Sequence, residues 1–189
     1  MDVDLFRAEL ARISDILMPG GVQWAIAAGS AVYLYTGSRP PTDLDALVRP
    51  EDLARAAETL GLAPETETTS WGEVTRIQIG KIEIAGRLTA KAGSNSYQYY
   101  LDSDMVSRLR RVTFHGIQVP VLSPEDVVAL KAVLQRGPEH DKHDLEDIEA
   151  LATAMPLDID YVRLRLDRMG ATERALPVLQ TVPMVHGKG

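Results

Sequence analysis

Two aspartates that stand two residues apart inside an apolar segment constrain this chain more than any other feature of its sequence. Asp43 and Asp45 belong to the stretch TDLDALV, whose apolar residues predict a strand over Leu44–Val48. Side chains at positions i and i+2 of a strand share a face, so the two carboxylates can converge. Like charges in an apolar setting raise each other's pKa unless a cation intervenes, and Mg²⁺ prefers such oxygen ligands. The alternative is that both acids lie at the solvent end of an edge strand.

Gly29 and Ser30 follow a short apolar segment, residues 22–28, which predicts a buried strand. The next residues, 30–35, predict a short helix. A glycine at a turn from strand to helix lets the backbone approach a ligand closely, and a helix N-terminus offers free N–H groups to a phosphate. Ser30 adds a hydroxyl donor. A plain turn with a serine cap is the alternative.

A third acid, Glu83, lies in the stretch KIEI, which predicts a strand. Its neighbours Ile82 and Ile84 are apolar, so Glu83 points to the other face. If this strand lies beside the strand of the two aspartates, three acids can surround two metal ions. Two metal ions can stabilise both the attacking and the leaving oxygen in phosphoryl transfer. The alternative is an exposed strand with Glu83 facing solvent.

Four further charged residues are candidates for the same site. Arg39, in the loop before the aspartates, is either a clamp for a triphosphate or an exposed loop residue. Lys131, in an apolar helical segment, either meets a phosphate or extends its ammonium to solvent. Asp144 and Asp147 share one face of a predicted helix. We expect a site role for Asp144, and for Asp147 we expect an acid stabilised by the helix dipole.

The remaining patterns predict a mixed α/β chain with a helical C-terminal portion. They predict helices over residues 4–18, 50–60, 123–134, 143–153 and 159–169, and hairpins over residues 74–88 and 112–122. Residues 89–102, polar with three tyrosines, are expected to form an ordered loop or lid. We expect an α/β core over residues 1–122, a helical region over 123–183, and a disordered tail over 184–189.

Composition excludes several classes of protein. The 189 residues carry a net charge of −7, which argues against wrapping a long nucleic-acid backbone. Without cysteine there is no disulfide and no thiol nucleophile. No apolar run reaches the length of a membrane span, and the N-terminus lacks the pattern of an export signal. We therefore expect a cytoplasmic protein that does not associate with membranes.

The segments GSAVYLYTG and TDLDALV, followed by KIEI, resemble the nucleotidyltransferase superfamily that includes DNA polymerase β. The resemblance implies a mixed β-sheet flanked by helices, two Mg²⁺ ions (or Mn²⁺), an NTP, and transfer of a nucleoside monophosphate as pyrophosphate leaves. It implies that Gly29 and Ser30 hold the triphosphate. Asp43 and Asp45 would bind both metal ions, and Glu83 would be the third ligand and a base. Many members of the superfamily have aspartate at that third position.

The segments VPVLSPEDVVALKAVLQRG and DKHDLEDIEAL resemble the C-terminal portion of small prokaryotic nucleotidyltransferases, including abortive-infection toxins. In those proteins a helix lysine and a basic-x-Asp-x-x-Asp motif complete the site, and the matching positions are Lys131, Asp144 and Asp147. The resemblance covers residues 22–153. It implies a hydroxyl acceptor, which could be a protein, a tRNA or a small molecule.

Two other functions stay open at this point. One is a catalytically weak or inactive module of the same fold that binds a protein partner, for example in a toxin–antitoxin pair. The other is a plain structural α/β protein, for which the spacing of Gly29, Asp43, Asp45 and Glu83 is a coincidence.

Overall fold

A computed structural model of the protein describes residues 1–182, in which eight α-helices and eight strands follow one another. The helices are α1 (Val3–Leu17), α2 (Ala28–Thr36), α3 (Leu53–Leu60), α4 (Ser103–Ser107), α5 (Pro124–Leu134), α6 (Asp144–Ala154), α7 (Ile159–Arg168) and α8 (Thr172–Thr181). The strands are β1 (Trp24–Ile26), β2 (Leu44–Val48), β3 (Glu65–Thr69), β4 (Gly72–Ile79), β5 (Ile82–Ala92), β6 (Asn95–Tyr99), β7 (Arg110–Phe114) and β8 (Ile117–Val121). The tail expected over residues 184–189 lies outside the described residues.

All eight strands of the described chain join one mixed sheet in the order β3-β4-β5-β2-β1-β8-β7, and β6 pairs with β5 outside that path. β2 runs parallel to β5, and β1 runs parallel to β8. The remaining pairs are antiparallel, including the two predicted hairpins, β4 with β5 and β7 with β8. The predicted fold class, a mixed sheet flanked by helices with a helical C-terminal portion, is confirmed.

Local sequence explains where the helices around the central strands begin and end. Helix α2 starts directly after the three-residue strand β1 and ends at Gly37, whose φ of 64° places it in the left-handed region. The Ser123 side chain accepts a hydrogen bond from the Asp126 N–H, and Pro124 occupies the first turn of α5. Ser123 and Pro124 therefore define the start of α5, whereas Ala27, the N-cap of α2, makes no side-chain hydrogen bond.

The prediction of a loop or lid over residues 89–102 is wrong. Strand β5 continues to Ala92, and β6 returns antiparallel to it after a turn at Gly93, whose φ is +60°. Tyr97 and Tyr99 are two residues apart and both are buried, so the tyrosines mark a strand face that packs on the core. Sequence analysis also missed the polar strand β3 and the helices α4 and α8.

The hydrophobic core is continuous between the sheet and the C-terminal helices. Every residue of α5 is buried, and this helix contacts α2, α6, α7 and α8. The two predicted regions, 1–122 and 123–183, share one hydrophobic core. Their division into separate units stays a prediction. Within the described residues, no helix has the length and apolarity that crossing a bilayer requires.

Candidate active site

The three acids singled out in the sequence line one cleft of about 340 Å³. In the parallel pair of β2 and β5, Asp45 is the direct partner of Glu83. Paired residues of adjacent strands present their side chains to the same face. Asp43 precedes Asp45 by two residues and faces the same cleft. The structure thus brings Asp43, Asp45 and Glu83 together, although the chain separates the aspartates from the glutamate.

The Asp45 carboxyl is electrostatically unfavourable as a carboxylate. Burial raises its pKa to about 7, and the negative charges of Asp43 and Glu83 add to that increase. Lys142 and Lys131 partly oppose the effect. The lysines therefore do not fully compensate the negative charge of this group.

Arg76, a residue of β4, holds the third acid. Its guanidinium donates to the Glu83 carboxylate and also forms ion pairs with Glu67, at 2.6 Å, and Glu65, at 3.7 Å. Within residues 1–182, no three His, Cys, Asp or Glu side chains are already arranged around a point that a metal ion could occupy. The donor set nevertheless fits a hard divalent ion, because three carboxylates line one cleft and one of them is short of positive charge.

The N-terminus of α2 opens into the same cleft. Ala28 and Gly29 line it, and the first hydrogen bond of the helix runs from the Ala31 N–H to the Ala27 carbonyl. The preceding N–H groups therefore belong to the set that helix geometry leaves without a partner in the helix. A Cβ added to Gly29 would meet nothing within 4 Å, so the backbone is accessible from the cleft. Ala28 has a φ of 46°, in the left-handed region, at the bend from strand to helix.

The Ser30 hydroxyl has a structural task in this geometry. Ser30 is 0 % exposed; its hydroxyl donates to the Asp43 carbonyl at 3.2 Å and accepts from the Asp45 N–H at 3.0 Å. It thereby fixes the backbone on both sides of Leu44. The expected contact of this hydroxyl with a triphosphate would break bonds that position the two aspartates.

Lys131, from helix α5, and Arg39, from the loop before β2, bring positive charge to the cleft. Lys131 is 3 % exposed and donates to Asp144 at 3.0 Å and to Asp147 at 2.7 Å. Arg39, in the loop before β2, pairs with the other carboxylate oxygen of Asp147 at 2.6 Å. Asp147 therefore forms ion pairs with both Lys131 and Arg39, one through each carboxylate oxygen.

The structure places Asp144 and Asp147 differently from the sequence interpretation. Asp147 lines the cleft, whereas Asp144 is 0 % exposed and lies behind Lys131. Asp144 accepts from the Arg136 N–H at 2.9 Å and from Arg136 Nε at 3.0 Å. Burial acts to raise the pKa of Asp144, but its ion pair with Lys131 and its bonds with Arg136 lower it overall. Asp144 thus anchors cations, and Asp147 is the acid that faces the cleft.

Sequence analysis missed several residues of the cleft. Trp71 and Arg76 come from the β3–β4 ribbon, and the Arg136 guanidinium lies 4.7 Å from the centroid of the Trp71 ring. Lys142 also lines the cleft. The basic residue of the motif DKHDLEDIEAL signals Lys142, whereas no periodicity in the sequence places Trp71 or Arg76 beside the acids.

The mixed sheet, the strand-to-helix bend and the acids on neighbouring strands define a nucleotidyltransferase-like protein. Residues 4–184 match a family described as "Uncharacterised nucleotidyltransferase", and the chain belongs to that family. Membership makes it a candidate enzyme of nucleotidyl transfer and defines no acceptor. No match to the chain is found among curated proteins.

Solved structures with the same fold agree with this assignment. A candidate nucleotidyltransferase from Thermotoga maritima has a TM-score of 0.57 and 19 % identity, over 75 % of this chain and 91 % of that one. The antibiotic-resistance factor ANT(2'')-Ia has a TM-score of 0.54 and 17 % identity, over 92 % of this chain and 97 % of that one. The same factor in complex with adenylyl-2''-tobramycin has a TM-score of 0.53 and 15 % identity, over 88 % of this chain and 99 % of that one. At these identities the likeness shows the fold.

Proposed function

We propose that this protein transfers a nucleoside monophosphate from an NTP to a hydroxyl group of an acceptor, with release of pyrophosphate, and that the reaction depends on a divalent metal. Asp43, Asp45 and Glu83 would hold Mg²⁺, in the two-ion arrangement that the superfamily resemblance implies. The metal would supply charge neutralisation at the reacting phosphate and activation of the attacking oxygen.

The observation that carries the proposal is the position of Asp45. It lies between Asp43 and Glu83 in a cleft where burial and those two acids raise its pKa to about 7. A half-buried carboxylate with two acidic neighbours is costly in an apo protein and becomes favourable once a cation binds. Structural roles alone give no reason to keep such a group.

The donor triphosphate would bind on the α2 side of the cleft. The first N–H groups of α2, around Gly29, offer donors and the positive end of a helix dipole. An ammonium has three donors, of which Lys131 uses two on Asp144 and Asp147. Arg39, whose side chain is 46 % exposed, can turn from Asp147 towards a phosphate.

In the reaction, the acceptor oxygen forms a bond to the α-phosphorus as the bond to the bridging oxygen breaks. Pyrophosphate leaves with that electron pair, and the proton of the acceptor hydroxyl passes to the Glu83 carboxylate. Arg76 must release Glu83 for this step. Because Arg76 also pairs with Glu67 and Glu65, its charge stays neutralised when Glu83 turns to the cleft.

The test is incorporation of label from each α-³²P NTP with Mg²⁺, offered to protein, tRNA and aminoglycoside acceptors. We expect Asp43→Ala and Asp45→Ala to lower incorporation by roughly 10²–10³-fold, because several kcal/mol of transition-state stabilisation is lost. Asp160→Ala is the matched control, since the Asp160 side chain is 94 % exposed on α7. Incorporation that survives both cleft substitutions would refute the role of the two aspartates.

Calorimetry separates this activity from the alternative of an inactive module in a toxin–antitoxin pair. The proposal requires binding of an NTP analogue with Mg²⁺, and it requires that Asp45→Asn abolishes that binding. A protein that binds no nucleotide but co-purifies with a partner would support the module instead.

A further inference from the structure

One end of the cleft has a chemistry that the binding of a triphosphate and metal ions does not use. Next to the acids, the lining turns apolar, with Trp71, Val74, Leu88, Leu130 and Leu134. Phosphates and metal ions gain nothing from such a surface, whereas a ring of a bound organic molecule does. These five residues are called the apolar end of the cleft, and the charged side chains of Glu67, Arg76 and Arg136 line the cleft beside them.

The order of the strands places Gly29 and Trp71 on opposite sides of the acids. Gly29 follows β1, Asp43 directly precedes β2, and Asp45 lies on β2. Glu83 lies on β5, and Trp71 adjoins β4. Those strands are neighbours in the order β4-β5-β2-β1. In the proposed reaction, the attacking and leaving oxygens lie on opposite sides of the phosphorus. If pyrophosphate leaves towards α2, the acceptor must enter from the β4 side, past Trp71.

Trp71 is held in place before any ligand binds. The Arg136 guanidinium lies against its ring, and Arg136 is itself fixed by the buried Asp144. The Trp71 carbonyl accepts from the Lys91 N–H at 2.8 Å. Gly72, which follows, packs so closely on β5 that a Cβ would collide with the Thr89 carbonyl oxygen. Such a fixed aromatic ring binds a flat partner at low entropic cost.

We propose that this apolar end, formed by Trp71, Val74, Leu88, Leu130 and Leu134, is the acceptor subsite, and that the acceptor is a small hydroxyl compound whose ring packs on Trp71. The proposal rests on the function proposed above. A cleft of about 340 Å³ lies in the size range of small-molecule sites. The net charge of −7, with Glu67 at the rim, disfavours a nucleic acid.

The two tryptophans of the chain make the subsite measurable. Trp24 is 4 % exposed in β1, so Trp24→Phe leaves Trp71 as the single reporter and leaves the cleft unchanged. Tobramycin and phenyl β-glucoside are the ring-bearing probes, glycerol is the hydroxyl control without a ring, and tRNA is the macromolecular control. All are added with a nonhydrolysable NTP and Mg²⁺. We expect a saturable change of Trp71 emission with at least one ring-bearing probe and none with glycerol or tRNA.

A second measurement uses whichever probe accepts label. We expect Trp71→Ala to raise the KM of that acceptor about tenfold while the KM of the NTP stays within twofold, and Trp71→Phe to restore most of the loss. Trp24→Phe, the matched control, should change neither constant. The subsite is wrong if no ring-bearing probe alters the emission, if Trp71→Ala leaves the acceptor KM unchanged, or if only tRNA or protein takes label. Failure of the proposed function appears separately, as NTP binding that does not depend on Asp45.

Discussion

Asp45→Asn should stabilise the metal-free protein while it abolishes transfer. Burial and two neighbouring acids raise the pKa of Asp45 from 3.8 to about 7. At 1.36 kcal/mol per pKa unit, keeping this group ionised at pH 8 costs the folded state roughly 4 kcal/mol as an upper value. Asparagine keeps the shape of the side chain and removes the charge. We therefore expect Asp45→Asn to raise the free energy of unfolding of the metal-free protein by about 2–4 kcal/mol, which corresponds to an increase of roughly 5–15 °C in Tm for a chain of this size.

The sign of the pH dependence follows from the direction of the shift. The folded-state pKa of Asp45 lies above the unfolded value, so the folded protein holds the proton more tightly. Stability from this group is fully present below about pH 4 and declines as the pH rises towards about 7. The increase in the free energy of unfolding that Asp45→Asn causes should thus be small at pH 4.5 and reach its full value at pH 8.

The assay is thermal unfolding at pH 4.5 and pH 8, in EDTA and in Mg²⁺, for wild type, Asp45→Asn and the exposed control Asp160→Asn. If the ion binds Asp45, Mg²⁺ should raise the Tm of wild type and narrow the gap to the variant. The electrostatic reasoning would be refuted if Asp45→Asn and wild type differed in Tm by the same amount at both pH values. It would also be refuted if the variant were less stable than wild type at pH 8 in EDTA.

Four other substitutions test the supporting structure. Asp144→Asn should cost about 3–5 kcal/mol, seen as a lower Tm, because it leaves the buried Arg136 guanidinium without its carboxylate and removes one of the two carboxylates that pair with Lys131. Since the pKa of Asp144 is lowered, its stabilisation should be present at neutral pH and lost as the pH falls through the folded-state value. Ser30→Ala should cost about 1–3 kcal/mol in chemical denaturation, because the buried Asp45 N–H loses its acceptor. Gly29→Ala should keep the wild-type Tm and raise the KM of the NTP, whereas Gly72→Ala should fail to fold, because Gly72, unlike Gly29, lacks room for a Cβ.

The sequence predicted those parts of the site that depend on local pattern. Alternation around Leu44 and Ile82 was enough to orient Asp45 and Glu83, because strand geometry has a period of two. The approach of these two residues to each other depends on the parallel pairing of β2 with β5, and that pairing is non-local. The expectation that these strands are neighbours came from the superfamily resemblance and from no periodicity in the sequence.

The errors have physical causes of the same kind. Asp144 and Asp147 share a helix face, and only the packing of α6 on α5 decides that Asp144 is buried behind Lys131 while Asp147 reaches the cleft. Residues 89–102 were assigned to a loop because polar residues mask the alternation of Tyr97 and Tyr99. The contact of Ser30 with a triphosphate stays a prediction, since the structure shows only that its hydroxyl bonds the neighbouring backbone at Asp43 and Asp45.

The parallel register of β2 and β5 has a consequence for how such a protein can diversify. Backbone hydrogen bonds between those strands set the spacing of Asp45 and Glu83, whereas Trp71 and Arg76 come from the segment inserted between them. The turn joining β3 to β4 can therefore change its side chains at Ser70 and Trp71 without moving the carboxylates, provided that Gly72 is kept. If Trp71 binds the acceptor as proposed, substitutions in this turn can change which compound is modified while Asp45 and Glu83 keep their positions.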